Sequence, residues 1–281
     1  MHKFSKIRNI VIGGGLSLLI GLSAYLYYDA FHPLYRFRTM QDDIASTEPV
    51  DLKGLREINA SGSSAPHFPD LQKKLSHIKQ PKIIIDAKTE SPGYIDGRPI
   101  SFYRYDLSGP RPKHLIRRLY YTGTIFERPD LIVPAPEEAK KYGFDYASVH
   151  IGSRFIAPLE KIDEIVTLLD SVPQDTWIHF HCRNGDGRTS MLLTMLDIMR
   201  NAPAVSKDDI FKRQHLLGSV DFNNTTVWSK GATYSKKQLE DRKKFVENFY
   251  EFISQRKAGG AQLWSEWNRQ KIGAYSVVSV Q

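Results

Sequence analysis

One short segment constrains this chain more than any other, because it joins an apolar strand, a glycine-containing loop and a helix without interruption. The segment begins at Trp177 and reads WIHFHCRNGDGRTSMLLTMLDIM. Its first five residues predict a buried strand, and the stretch from Arg188 to Met199 predicts a helix. Gly185 and Gly187 allow the intervening loop to adopt backbone dihedrals that other residues avoid. The segment therefore predicts an α/β fold in which a tight loop opens a helix.

The loop of this segment predicts an anion-binding site. Backbone N–H groups of residues 183–188 can point inward toward one phosphate, and the helix N-terminus adds partial positive charge. These donors also favour the thiolate of Cys182, the single cysteine of the chain. The planar guanidinium of Arg188 matches two phosphate oxygens. A buried structural cysteine is the ordinary alternative, but the spacing of these neighbours makes it improbable.

The stretch HCRNGDGRT resembles the signature of the cysteine phosphatases. The resemblance implies that Cys182 is the nucleophile and forms a phosphocysteine intermediate, that Arg188 stabilises the phosphoryl group, and that Thr189 places a hydroxyl near the sulfur. It also implies that neither a metal nor another cofactor is needed. The residues that it implies for holding the loop and the phosphate are His181, Arg183, Asn184, Gly185 and Gly187.

Four further stretches within residues 37–267 resemble the protein-tyrosine-phosphatase-like phytases. They read LREINASGSSAPHFPDLQKKL, IIIDAKTESPGYIDGRPISFY, IDEIVTLLDSVPQDTWIHFH and ENFYEFISQRKAGGAQLWSEW. The resemblance implies an α/β protein-tyrosine-phosphatase-like layer fold, with a central sheet flanked by helices, and inositol polyphosphates as substrates. Two other functions stay open: a protein tyrosine or dual-specificity phosphatase, and a catalytically impaired pseudophosphatase that only binds phosphate.

The general acid is the main departure from the family pattern. Ungapped counting from the helix before the signature strand places Ser153 where the family has an aspartate. A serine hydroxyl does not usefully protonate an alkoxide, and a positioned acid contributes typically about 10²–10⁴ in rate. Asp186 within the loop is the first candidate replacement. Asp145 and His150 are weaker alternatives.

Basic residues outside the loop predict contacts to further phosphates. The formal net charge of +8 agrees with an anionic partner, and no nucleic-acid motif accompanies it. Lys88 stands where the family has an arginine. Lys236, Lys237 and Arg242 lie on a predicted amphipathic helix over residues 236–255, although a solvated helix face is the simpler interpretation.

The N-terminus predicts a membrane segment. Ile10 to Tyr28 is an uncharged run of 19 residues, close to the roughly 20 that a helix needs to cross a bilayer. The basic residues before it, within 1–9, predict that the phosphatase domain lies outside the cytoplasm, in the periplasm or another extracytoplasmic space. A cleaved signal peptide and a secreted product are the alternative. Residues 29–66 are then a linker with the start of the fold, and residues 67–281 form the phosphatase domain.

Overall fold

The computed structural model describes residues 2–31, 34–89, 93–99, 119, 122–126, 128–152, 158–227 and 234–278. Its helices are α1 (His2–Phe31), α2 (Phe68–Lys74), α3 (Ala135–Lys141), α4 (Leu159–Ser171), α5 (Gly187–Asn201), α6 (Lys207–Leu216), α7 (Lys236–Lys257) and α8 (Trp264–Val278). Its strands are β1 (Arg38–Thr39), β2 (Ala60–Ser64), β3 (Lys82–Asp86), β4 (Gly93–Ile95), β5 (Arg98–Pro99), β6 (Val133–Pro134), β7 (Asp145–Ser148) and β8 (Trp177–Cys182).

A five-stranded sheet forms the centre of the fold, with the order β1-β2-β8-β3-β7. Strands β2, β8, β3 and β7 run parallel, and only the edge strand β1 is antiparallel. Every residue of β8 is buried, as expected for a parallel strand covered on both faces. The predicted α/β layer fold is therefore confirmed. The signature strand lies in the middle of its sheet.

The helices that carry the C-terminal half of the chain enclose the main hydrophobic core. Helix α5 packs against α6, α7, β2 and β8, and α8 packs against α4 and α7. An aromatic cluster joins α7 to α8, in which Phe252 and Trp264 meet edge to face with ring centroids 5.7 Å apart. A smaller sheet has the order β5-β4-β6. Tyr94 of β4 packs with Phe68 of α2 in a second apolar cluster. This packing fixes the start of α5 beneath the end of β8.

The sequence-predicted elements of the phosphatase domain are confirmed, with small differences in their bounds. The helix predicted over residues 188–199 spans Gly187–Asn201, and the helix predicted over residues 236–255 extends to Lys257. The strand predicted from Trp177 includes one residue more than expected and ends at Cys182. The fold also starts within residues 29–66, since β1 and β2 belong to the central sheet.

The predicted membrane anchor is not confirmed. Residues 10–28 do lie within a helix, α1. Within the described parts of the chain, however, no helix combines the length and apolar character needed to cross a membrane. The extracytoplasmic location stays a prediction.

Candidate active site

The loop that follows β8 is held against the neighbouring strand β2. Ser64 is the register partner of Cys182 and also forms an isolated bridge with Asn184. Gly185 has a φ of +72°, and a Cβ at this position would lie 2.5 Å from the backbone nitrogen of Ser64. Because a side chain here would need both a left-handed backbone and space that β2 occupies, the loop requires glycine at this position.

The Cys182 thiol has a pKa below its ordinary value. Burial opposes ionisation, but the hydroxyl of Thr189, the charge of Arg188, and the backbone N–H groups of Thr189 and Asn184 outweigh it. Thr189 is fully buried, and its hydroxyl also lies 3.3 Å from the carbonyl oxygen of Ser63. These groups favour the ionised form of the Cys182 thiol, in the direction that the sequence predicts.

Arg188 joins the loop to two other strands. Its Nη1 donates to the carbonyl oxygens of Ala87 and Ile151, both at 3.1 Å. Ala87 follows β3 and Ile151 follows β7. These contacts orient the guanidinium at the carboxyl ends of the parallel strands, which is where ligands bind in open α/β sheets.

A second arginine, Arg38 of β1, braces the loop from the protein interior. Its Nη1 donates to the carbonyl of Gly185 at 3.0 Å, and its Nη2 donates to the hydroxyl of Ser190 at 2.9 Å. Its Nε donates to the hydroxyl of Ser219 at 3.3 Å. Burial lowers the pKa of Arg38 to about 10, so its charge persists at neutral pH. Nothing in the local sequence around Arg38 indicates this role.

A cavity of about 520 Å³ opens above the loop, within the range of roughly 300–1,000 Å³ for small-molecule sites. The loop forms one side of the cavity. The other side comes from the end of α6, the first turns of α7 and the connection between these helices. The residues that line it are Cys182, Arg183, Asn184, Asp186, Gly187, Arg188, His215, Val220, Asp221, Asn224, Thr226, Tyr234, Leu239 and Arg242. Of these, His215, Val220, Asp221, Asn224, Thr226, Tyr234 and Leu239 were not predicted as site residues.

His181, predicted to help hold the loop, and Lys88, predicted to contact a phosphate, both lie behind the loop and are not among the residues that line the cavity. Both side chains are buried, and they flank Asp86, whose Oδ2 accepts a hydrogen bond from Tyr146 at 2.7 Å. The Lys88 ammonium lies 3.7 Å from the Asp86 carboxylate. Burial lowers the pKa of His181 to about 4 despite the opposing effect of Asp86. The prediction of direct phosphate binding by Lys88 is wrong for this geometry, since its charge is directed to a buried carboxylate.

The basic residues of α7 divide into two groups. Arg242 is buried and lines the cavity, with its guanidinium 5.0 Å from the ring centroid of Tyr234 and 5.3 Å from that of Phe222. Lys236 and Lys237 are exposed and lie near Glu240 and Asp241, one turn along the helix. Only Arg242 among these three is positioned to contact a ligand in the cavity.

The four residues considered for the general acid lie in different parts of the chain and do not all reach the loop. Ser153 lies outside the described residues. Asp145 is wrong as a candidate: it begins β7 opposite Ile83, which also pairs with Ile178. Cys182 lies four residues beyond Ile178, roughly 13 Å along the strand.

The other two candidates lie near the loop. His150 follows β7, and its Nδ1 lies 3.1 Å from the carbonyl of Lys88. Asp186 lines the cavity, but its carboxylate forms an ion pair with Arg36.

Two known proteins share sequence with this chain. Uncharacterized protein AvrBs1.1 of Xanthomonas campestris pv. campestris is 41% identical over 96 residues, which are 33% of this chain and 88% of the relative. Effector protein hopD2 of Pseudomonas syringae pv. tomato is 31% identical over 137 residues, which are 48% of this chain and 29% of that protein.

Two solved structures from Mitsuokella multacida share the fold. The tandemly repeated protein tyrosine phosphatase-like phytase matches with a TM-score of 0.67 and 25% identity, over 85% of this chain and 46% of that chain. The PTP-like myo-inositol phosphatase in complex with myo-inositol-(1,3,4,5)-tetrakisphosphate matches with a TM-score of 0.66 and 24% identity, over 85% and 45%. This chain therefore spans about half the length of the Mitsuokella chains.

Phosphoryl transfer to sulfur needs a thiol that ionises readily and a guanidinium for the phosphoryl oxygens, and Cys182 and Arg188 supply both. The chain is thus a cysteine-dependent phosphatase. The family model for PTP-like phytases matches residues 132–200, and its description names inositol hexakisphosphate. The matched residues include β7, the loop and most of α5. The chain belongs to the protein-tyrosine-phosphatase-like phytase family within the cysteine phosphatase superfamily.

Proposed function

We propose that this protein hydrolyses phosphomonoesters of inositol polyphosphates through a phosphocysteine intermediate. The observation that carries the proposal is Arg242, a buried guanidinium in the same cavity as Cys182 but outside the phosphate-binding loop. The loop binds the phosphate that is transferred, so Arg242 is available for a second phosphate of the same substrate. The family model and the inositol tetrakisphosphate complex of the Mitsuokella enzyme support the same substrate class.

The reaction follows from the positions of the loop residues. The Cys182 thiolate attacks phosphorus, the bond to the ester oxygen breaks, and the phosphoryl group is transferred to sulfur. Arg188 and the loop N–H groups bind the phosphoryl oxygens, whose charge redistributes in the transition state. Water then attacks phosphorus and returns Cys182 as the thiolate, with release of inorganic phosphate.

A steady-state assay of phosphate release tests the substrate class. We expect the wild-type protein to act on inositol hexakisphosphate or lower inositol polyphosphates with a higher kcat/KM than on a phosphotyrosine peptide. The Cys182→Ser variant is the control for contaminating phosphatases. A preference for the phosphotyrosine peptide would contradict the proposal.

A pair of variants on α7 tests the role of Arg242. Arg242→Gln should raise the KM for an inositol polyphosphate more than the KM for 4-nitrophenyl phosphate, which has no second phosphate. Lys244→Gln removes the same charge from an exposed position of the same helix and should leave the ratio of the two KM values unchanged. Equal effects of Arg242→Gln on both substrates would assign Arg242 to the structure of the cavity alone.

A protein tyrosine phosphatase is the second candidate, and one observation favours it. The cavity contains the carboxylates of Asp186 and Asp221 beside its arginines, while Lys236 and Lys237 have acidic neighbours on α7. This charge balance is less positive than a substrate with many phosphates favours. The peptide arm of the assay distinguishes the two candidates.

A further inference from the structure

The cavity contains a carboxylate to which neither the sequence nor the family pattern assigns a role. We propose that Asp221 protonates the leaving oxygen of the substrate, in place of the acid that is absent at position 153. This inference rests on the proposed phosphomonoester hydrolysis, although it does not depend on inositol as the leaving alcohol. Three observations support it: Asp221 lines the cavity, its two neighbours in sequence are anchored, and the other proton-bearing side chains of the cavity are held by other contacts.

The residue before Asp221 is tied to the phosphate-binding loop. The backbone N–H of Val220 donates to the hydroxyl of Ser190 at 3.1 Å, and the same hydroxyl accepts from Arg38 Nη2 at 2.9 Å. Arg38 in turn donates to the carbonyl of Gly185. One chain of hydrogen bonds therefore sets the position of Asp221 relative to the loop.

The residue after Asp221 is fixed from the other side. Phe222 is 2% exposed, and its ring centroid lies 6.2 Å from that of Phe211 in the main core. The guanidinium of Arg242 lies 5.3 Å from the centroid of the same ring. Because both neighbours are anchored, Asp221 is held at the cavity wall although it lies in a connection without regular secondary structure.

The Asp221 carboxylate is available for proton transfer. Its Oδ1 accepts a hydrogen bond from the backbone N–H of Asn223 at 2.9 Å. Among the residues that the structure describes, none forms an ion pair with it. Asp186, by contrast, is engaged by Arg36 and belongs to the loop itself.

The other cavity residues with transferable protons are less suited to the step. His215 Nδ1 lies 3.1 Å from the carbonyl of Ser219. Since a carbonyl only accepts, Nδ1 carries a proton that this contact engages. Burial raises the pKa of Tyr234, so its phenol holds the proton more tightly than a free tyrosine does. Asp221 is the carboxyl group that remains.

Asp221 gives up one proton in the first step of the reaction and recovers one in the second. As the Cys182 sulfur bonds to phosphorus, the phosphorus–oxygen ester bond breaks and its electron pair passes to the leaving oxygen. That oxygen takes the proton of Asp221 and departs as an alcohol, which leaves phosphocysteine and the Asp221 carboxylate. In the second step the carboxylate takes a proton from water as the water oxygen bonds to phosphorus. The phosphorus–sulfur bond then breaks, and its electron pair returns to Cys182.

The dependence of rate on the leaving group tests the proposal without inositol phosphates. The substrates are phenyl phosphate, whose leaving group is strongly basic, and 4-nitrophenyl phosphate, whose leaving group is weakly basic. Because acid catalysis contributes most when the leaving group is most basic, Asp221→Asn should lower kcat/KM, which reports the step in which the leaving group departs, about 10²–10³-fold for phenyl phosphate and less than about tenfold for 4-nitrophenyl phosphate. Asp186→Asn removes the same charge from the same cavity and should change both rates by a similar factor.

Three outcomes would overturn the inference. The first is an equal loss of kcat/KM on both substrates in Asp221→Asn, the second is a selective loss of kcat/KM on phenyl phosphate in Asp186→Asn, and the third is a wild-type protein that cleaves neither substrate. Asp208→Asn, at an exposed position in the first turn of α6, should retain wild-type rates and controls for the change of charge. A wild type that cleaves both aryl phosphates but no inositol phosphate would refute the proposed substrate class alone, and the comparison of variants would still decide the role of Asp221.

Discussion

The phosphate-binding loop and the connection between α6 and α7 form two sides of one cavity, but they are built differently. The loop, residues 182–188, joins the end of β8 to the first turn of α5, and its conformation is set by Gly185, Thr189 and the brace of Arg38. The connection, residues 217–235, has no helix or strand among the residues described in it, and it is held through a few anchored side chains such as Phe222.

The difference separates two tasks of the active site. Binding one phosphoryl group and stabilising a thiolate require backbone amides in a rigid arrangement, which a strand followed by a helix provides. Choosing the rest of the substrate and supplying its proton require side chains that vary between related proteins, and these lie on connections in many enzymes. We therefore expect variants of the loop to affect all substrates, and variants of the connection to discriminate between substrates.

The largest effect should come from Cys182→Ser. This variant should reduce turnover to background on every phosphomonoester, because a serine hydroxyl lacks the stabilised anion that attacks phosphorus. Affinity for inorganic phosphate, measured by calorimetry, should persist, since Arg188 and the loop amides remain. A turnover within about tenfold of wild type would contradict the assignment of the nucleophile.

The next effect in size should come from Arg188→Lys. Lysine keeps the charge but cannot donate to two oxygens with the geometry of a guanidinium. We expect kcat to fall about 10²–10³-fold for aryl and alkyl phosphates alike, the range for losing one preorganised donor. If the loss depended strongly on the leaving group, the assignment of distinct tasks to the loop and the connection would need revision.

A smaller effect should come from Arg38→Gln, which removes a brace without touching the cavity. Loss of its charge should raise the pKa of the Cys182 thiol, because the positive charge of Arg38 and the Cys182 thiolate attract each other. We expect kcat to fall about 10–100-fold through misplacement of the loop.

The pH dependence of iodoacetamide alkylation measures this thiol pKa directly. It should shift upward in Arg38→Gln and be partly restored in Arg38→Lys. Arg56→Gln, which breaks an exposed ion pair with Asp43, is the matched control and should not shift it. An unchanged alkylation profile in Arg38→Gln would show that the brace acts on folding only.

The smallest effect concerns stability beneath the loop. Burial lowers the pKa of His181 from 6.5 to about 4, so the unfolded chain binds a proton at a higher pH than the folded chain does. The contribution of His181 is therefore fully present above pH 6.5. As the pH falls from 6.5 to about 4, the unfolded chain binds this proton before the folded chain does. The free energy of unfolding therefore decreases by up to about 1.4 kcal/mol per pH unit.

Urea denaturation at several pH values measures this dependence. His181→Gln should show a shallower loss of stability between pH 6.5 and 4 than the wild type. The exposed His77 provides the control, and His77→Gln should follow the wild-type curve. Identical pH dependence in all three proteins would exclude His181 as a source of acid lability.

The sequence by itself determined the elements that depend on neighbouring residues. The strand before Cys182, the glycine at position 185 and the helix that begins at the end of the loop are all encoded within one contiguous segment. The apolar spacing of α7 was equally visible, because helical periodicity is a local property. For these parts the predicted elements and the observed geometry agree.

The tertiary structure decided which distant residues reach the site. Arg38 lies 147 positions before Gly185 in the chain, and Asp221 comes close to the loop through the hydrogen bond of its neighbour to Ser190. Sheet register placed Asp145 at the far end of its strand, and burial directed Lys88 to Asp86. Such contacts have no local sequence pattern, because strand order and helix packing bring the residues together only after the chain has folded.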